Sequence, residues 1–265
     1  MTSSTLLLPP LALPWMTAAL AIVFGAGIVR GFAGFGFSAL CVAGLALLVS
    51  PARIVPAIFV LEVLASISLL RGALRDVDGA WLSWLVIGNL VCLPLGTLLL
   101  AWLPETALRL LIGALLLLAA GLLRGGVSLA LAPSAGVRFG VGMASGFVNG
   151  VAAIGGIAVA VMLSTAQIAP AAMRATMIAL FLFTDLYALA CSAAISAFTH
   201  APTDLLGADT LRWALWLAPA MLIGIAVGQR TFSGVSPATF RRRVLDLLML
   251  VAAISVLRAA LDWFR

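Results

Sequence analysis

Apolar residues run through this chain in long segments separated by short breaks. Hydropathy and break signals divide them near 13–30, 35–50, 53–72, 80–102 and 105–124, then near 138–150, 154–166, 170–198, 211–231 and 239–262. A helix needs about 20 apolar residues to cross a bilayer, so the pattern predicts an all-α polytopic membrane protein with about 8–10 membrane segments. Two segments are short, 35–50 and 154–166, and each is split from its predecessor only by glycine-rich sequence. The polar stretch RGGVSLALAPSAGVR (124–138) divides the chain in the middle. The expectation is one transmembrane domain over 1–265, with a first repeat near 13–124, a hinge near 125–137 and a second repeat near 138–262.

The two halves resemble each other weakly. An offset of 119 residues carries Gly31 onto Gly150, Gly36 onto Gly155 and Pro51 onto Pro170, and an offset of 132 carries Trp84 onto Trp216 and Gly96 onto Gly228. Glycine-interrupted segments at matching places in two halves are the sequence pointer to a transporter binding site. If each half crosses the membrane an odd number of times, the halves are inverted. With the N-terminus outside, that scheme places Arg30, Arg71, Arg75, Arg124, Arg138, Arg174, Arg230 and the run Arg241, Arg242, Arg243 inside. Arg53, Arg109, Arg212, Arg258 and Arg265 then lie outside. Cytoplasmic loops collect Lys and Arg, which favours this orientation. The short second arms favour hairpins at 13–50 and 138–166 that reach only part way through the bilayer.

The stretch GFAGFGFSAL (31–40) raises the central question. Glycine inside a helix costs about 1 kcal/mol relative to alanine, and backbone freed from a helix has no water partner in hydrocarbon. One reading makes Gly31, Gly34 and Gly36, with Gly150, Gly155 and Gly156 in NGVAAIGG (149–156), two broken tips that meet near the midplane. Short helices beginning near Gly36 and Gly155 would then present N–H groups to an anion, with Ser38 and Asn149 adding hydrogen bonds. The other reading is tight helix packing by small residues.

Composition agrees with a membrane chain. It is 64% hydrophobic and 9% charged, with a mean hydropathy of +1.24. A soluble domain carries roughly 25% charged residues. The net charge is +6, but the arginines are spread near segment ends, which points to topology and not to nucleic acid. The first ten residues, MTSSTLLLPP, show no positive n-region, so no removable signal peptide is expected. Cys41, Cys92 and Cys191 are scattered and His200 is the single histidine, so no metal centre, redox chemistry or cofactor is expected. No Ser/His/Asp set, HExxH or P-loop argues for an enzyme.

A few polar residues stand in apolar surroundings. Arg174 lies one turn into PAAMRATMIALFLFTDLYALA (170–190) and can hold an oxyanion bidentately, or snorkel to the interface. Arg30 abuts the first glycine tip and has the same two readings. Glu62 and Asp185 stand near the middle of their segments, where a carboxylate needs a partner or a proton. They are candidates for coupling, or for a hydrogen bond to another helix. The 119-residue offset carries Glu62 onto Phe181 and Ser66 onto Asp185, so the acids sit one turn apart on corresponding helices.

RGFAGFGFSALCVAGLALLVSPARIVPAIFVLEVL and GMASGFVNGVAAIGGIAVAVMLSTAQIAPAAMRATMIALFLFTDLYAL resemble the two half-signatures of the TauE/SafE family of sulfite and organosulfonate exporters. The resemblance covers about 15–262. Gly31, Gly34, Gly36 and Phe37 match the first motif, and Gly146, Gly150, Gly155, Gly156, Arg174, Thr176 and Asp185 match the second. Ile157, and the run VAGL beyond the first motif, stand where the family often has proline. These departures bear on substrate more than on fold. The resemblance implies a secondary transporter of sulfite, sulfonates or related acids in the cytoplasmic membrane of a prokaryote, with a small anion and the lipid bilayer as partners. Oligomeric state is left open. Export of a monoanion down a potential of 100 mV, inside negative, gains about 2.3 kcal/mol. The alternative function is a membrane scaffold without a substrate.

Overall fold

The computed structural model describes residues 9–125, 134–165 and 168–230, with isolated positions 246, 249 and 253 beyond them. Among the described residues there are nine α-helices and no strand. They are α1 (Leu13–Ala33), α2 (Phe37–Leu45), α3 (Pro51–Leu70), α4 (Gly79–Trp102), α5 (Glu105–Arg124), α6 (Ala135–Ala152), α7 (Gly156–Thr165), α8 (Pro170–Phe198) and α9 (Ala208–Arg230). The predicted segments up to 231 correspond to these helices. The segment near 239–262, including Arg241, Arg242 and Arg243, lies outside the described residues save for those isolated positions.

Local chemistry sets the helix ends. Proline opens the first turn of α1, α3 and α8, where its missing N–H costs no hydrogen bond. Asp78 caps α4 by accepting from the N–H groups of Ala80 and Trp81, each at 3.0 Å. Helix α1 ends at Gly34, whose φ of +80° places it in the left-handed region and whose N–H returns to the Arg30 carbonyl at 2.8 Å. Helix α6 ends the same way, but on Ala153 with φ +57°, its N–H bonded to the Asn149 carbonyl at 2.7 Å.

After the first break the chain doubles back. Gly36 faces Val29 and Gly44 faces Ile22, so α2 runs antiparallel to α1 as the short arm of a hairpin. Gly155 likewise turns back against Ser145 and Asn149 of α6 at the start of α7. Arg109 on α5 closes the first hairpin from below. It pairs with Glu105 at 2.6 Å and donates to the carbonyls of Ala46 and Val49, which follow α2.

Each hairpin is packed along a distant helix. Gly27 lies against Met221 and Gly224, and Gly228 lies against Ile28, so α1 and α9 run parallel with their backbones in contact. Gly88 lies against Phe139 and Gly142, and Gly96 against Phe147 and Gly150, so α4 and α6 are also parallel. Small residues at such a seam let backbones approach where the surrounding lipid gives no hydrophobic drive between helices. The glycines at these seams are packing residues. Gly34 and Gly36, at positive φ, are the break. Gly31 and Gly150, expected at the broken tips, pack at such seams as well, against Ile225 and against Leu93 and Thr97.

Helices α3 and α8 pack against each other, and α3 is the most enclosed of the long helices. Asp78 at the start of α4 donates its N–H to Thr176 Oγ1 at 3.0 Å, and the Tyr187 hydroxyl donates to the Leu90 carbonyl at 3.2 Å, so α4 runs parallel to α8. Among the described residues six helices, α1, α3, α4, α5, α8 and α9, are long and apolar enough to cross a membrane. This is fewer than the predicted segments because α2 and α7 are short arms, α6 carries Arg138, Ser145 and Asn149 among glycines, and the segment near 239–262 lies outside the described residues. Leucine, isoleucine and valine side chains such as Ile67, Val91, Leu118 and Ile223 point outward, as a lipid-facing surface requires.

Gly27→Leu would drive a side chain into the Met221 carbonyl, whereas nothing lies within 4 Å of a side chain at Gly25. Size-exclusion profiles of detergent-extracted protein should lose the folded peak for Gly27→Leu and retain it for Gly25→Leu. Ala153→Gly removes a left-handed alanine costing about 1–2 kcal/mol. Its thermal midpoint should equal or exceed wild type, while that of Gly34→Ala falls.

Candidate functional site

The first tip is organised around Arg30. Its side chain is fully enclosed, at 0% exposure. Nη1 donates to the Gly34 carbonyl, Nη2 donates to Ser66 Oγ at 2.9 Å, and the same Nη2 lies 3.1 Å from Glu62 Oε2. The guanidinium sits 4.5 Å from the centre of the Phe181 ring, a cation–π contact in a dry setting. Glu62 is enclosed as well, and its Oε1 accepts the N–H of Ser38 at 3.2 Å. Ser38 lies in the first turn of α2. The helix end expected to receive a substrate anion thus already holds an anion, the chain's own Glu62.

The second tip is built from neutral and acidic groups. Asn149 donates from Nδ2 to Asp185 Oδ1 at 2.9 Å, and its Oδ1 accepts the Gly155 N–H at 3.3 Å. Asp185 is 1% exposed, and its second oxygen, Oδ2, has no hydrogen-bond partner. The 119-residue offset carries Arg30 onto Asn149 and Ser66 onto Asp185. The two hydrogen-bonded pairs thus occupy corresponding places. That correspondence was present in the residue numbers and is the signal that finds Ser66 and the Asn149–Asp185 pair. The same offset matches Phe181 to Glu62, but an apolar ring among apolar residues gave no chemical reason to single it out. It lies against Gly156 of the second tip and beneath Arg30 of the first, and so joins them.

Arg174 stands beside the first tip, partly buried. Its stem lies against Gly34, its Nη2 donates to the Gly31 carbonyl at 3.2 Å, and its Nε is buried without a partner. The structure brings Arg30, Gly31, Gly34, Ser38, Glu62 and Arg174 together at the first tip. Asn149, Gly155, Gly156 and Asp185 gather at the second. Gly36 holds the break next to Val29. Gly150 is turned to Leu93 and Thr97 on α4, and the Thr176 hydroxyl accepts from Asp78. Both of these serve packing of α4. Among the described residues no group of three His, Cys, Asp or Glu could hold a metal ion.

Removing one partner of a buried ion pair leaves an uncompensated charge and costs about 3–5 kcal/mol. Arg30→Met and Glu62→Met should each lower the thermal midpoint sharply. The double variant should recover much of that loss, giving a large interaction energy in the double-mutant cycle.

Comparison with known proteins places this arrangement in a family. Searches of curated proteins and of solved structures returned no match. The family model described as sulfite exporter TauE/SafE matches residues 19–256, nearly the whole chain. With six helices able to cross a membrane and a match of that extent, the chain is a multi-pass membrane protein and belongs to the TauE/SafE sulfite exporter family.

Proposed function

We propose that the chain is a secondary transporter of small sulfur-containing anions, sulfite and organosulfonates first among them, working in the export direction in a prokaryotic cytoplasmic membrane. Family membership supports the class of substrate. The observation that carries the site is Arg174, a partly buried cation at the glycine tip with an unpartnered Nε. Arg30 is already committed to Glu62, Ser66, Gly34 and Phe181. The Nε of Arg30 also has no hydrogen-bond partner, but that side chain is fully enclosed, whereas Arg174 is partly exposed and is the guanidinium an incoming oxyanion can reach. Arg30 and Glu62 hold the tip in place around it.

The halves read best as inverted repeats. Helix α1 is parallel to α9, α4 is parallel to both α6 and α8, and α1 runs against α8, with Arg30 at Phe181 and Gly34 at Arg174. The scaffold reading explains the glycines as packing and expects oligomerisation to respond to their substitution. Here Gly27, Gly31, Gly88, Gly96, Gly142, Gly150, Gly224 and Gly228 meet backbone of the same chain.

The test is flux of sulfite and sulfonates in proteoliposomes. A charge-assisted hydrogen-bonded contact is worth about 1.5–3 kcal/mol. Arg174→Ala should lower saturable flux by roughly 10- to 100-fold while leaving a monodisperse, thermally stable protein. Arg174→Lys should fall between the two, having the charge without the planar fork. Unchanged flux in Arg174→Ala would remove the assigned binding role.

A further inference from the structure

We propose that Phe181 is the gate of the transport path: its ring closes the way from Arg174 to the space between the two glycine tips, and its size sets which anions pass. The proposal rests on the transport reading above, holds for either direction of transport, and names the residue that selects among substrates of the same site.

The face of α8 supplies the order of events. Arg174, Phe181 and Asp185 stand at i, i+7 and i+11, positions that fall on one side of a helix with about 3.6 residues per turn. Arg174 is partly exposed, whereas Phe181 is 4% exposed and Asp185 is 1% exposed. Phe181 therefore lies two turns, about 10 Å, further in than the cation an anion reaches first. Ile178 shares that face, but it packs into the main apolar core. The Phe181 ring instead reaches both tips. The Arg30 guanidinium of the first lies 4.5 Å from its centre. Gly156 of the second lies at its edge, where a Cβ would stand 2.1 Å from the ring Cζ. Gly156 thus makes room for the ring at the start of α7. Trp81, Leu85, Met177 and Leu180 belong to the same small apolar cluster as Phe181.

A ring that only filled the core would have apolar atoms on every side. This one covers a cation, and buried polar atoms without hydrogen bonds stand on both sides of it. One is Nε of Arg30, in the guanidinium the ring covers, and the other belongs to Asp185, whose Oδ2 lies one turn further along α8. Polar groups left unpaired in a dry place cost free energy. With the ring swung aside, an oxyanion can accept from Arg30 Nε, and a water that follows it can donate to Asp185 Oδ2. The closed position keeps the cation–π contact and the burial of the ring, and the open position gains the two missing hydrogen bonds. Each offsets what the other lacks, the condition for two states close enough in free energy to exchange. Arg30 keeps Glu62 as its counter-ion in both. A passing anion therefore meets a neutralised guanidinium, which holds it weakly enough to let it go. The widest part of the anion has to clear the space the ring vacates, so the side chain at 181 sets the size limit.

The test uses the full-length chain in proteoliposomes, with sulfite, ethanesulfonate and benzenesulfonate as probes. The readout is the ratio of kcat/KM for benzenesulfonate to that for sulfite, which a loss of folded protein does not move. A methylene more or less in an apolar pocket changes discrimination by about 10- to 200-fold. Phe181→Leu and Phe181→Ala should raise the ratio roughly tenfold or more, alanine above leucine, and Phe181→Trp should lower it. Leucine keeps much of the apolar volume and carries the test if the alanine variant does not fold. Ile178→Val trims the same face of α8 and should leave the ratio unchanged. A folded Phe181→Leu protein with the wild-type ratio would overturn the gate and leave the transport reading standing. An equal rise in Ile178→Val would overturn the assignment of the gate to Phe181. Absence of saturable flux of all three anions in folded wild-type protein would overturn the transport reading, and the gate with it.

Discussion

A guanidinium with no exposed surface, inside a membrane protein, must be neutralised where it stands. Arg30 meets that requirement through Glu62, and much of the central architecture follows from it. Glu62 reaches Arg30 from α3 while accepting the Ser38 N–H, so one carboxylate fixes both the guanidinium and the start of α2. Arg30 in turn bonds the Gly34 carbonyl, so the break in α1 is held by the last turn of the same helix. The glycine tip, with backbone freed from helix in a place without water, is tolerable because this ion pair and its hydrogen bonds satisfy it from within. The second tip meets the same need with Asn149 and Asp185; one polar atom stays without a hydrogen bond in each, Arg30 Nε at the first, beside the ion-paired Glu62 Oε2, and Asp185 Oδ2 at the second.

The glycine seams decide which parts can move as units. The α1–α2 hairpin is joined backbone to backbone with α9, and α6 is joined in the same way with α4. Each hairpin therefore belongs mechanically to a helix of the opposite half of the sequence. A motion that exposes the tips alternately to the two sides cannot simply rock residues 13–124 against the rest. It has to carry α9 with the first hairpin and α4 with the second, and slide where α3 packs against α8. Phe181, on α8, touches both tips, so a shift of α8 is felt by Arg30 and Gly156 together.

Much of the fold was legible in the sequence because apolar length, proline and glycine are local signals. Pro51 and Pro170 begin α3 and α8, as their matching positions suggested. The breaks at Gly34 and Gly36 were visible because only glycine takes those backbone angles cheaply. The corresponding break at Ala153 was hidden, since alanine carries no such mark. The site was less legible. Residue types named Arg30, Glu62, Asn149, Asp185 and Arg174, but no spacing says that Glu62 occupies the end of α2. That depends on how far a side chain reaches across a helix crossing. Thr176 and Gly150 share the motif with the site residues, yet face α4, because a motif marks adjacency in the chain and not direction in space.

The parallel pairing of α1 with α9 also has a consequence for synthesis. Glu62 and Ser66 emerge soon after Arg30, so the charge on the first helix can be masked while the first hairpin forms. The backbone that Gly31 packs against, at Ile225, belongs to the last described helix. At about 5–20 residues per second, a ribosome takes on the order of ten seconds or more to make the intervening chain. During that interval α1 waits in the bilayer with its glycine face uncovered. Helix α1 is made long before it is seated against α9, and until then Glu62 and Ser66 are the partners that hold Arg30.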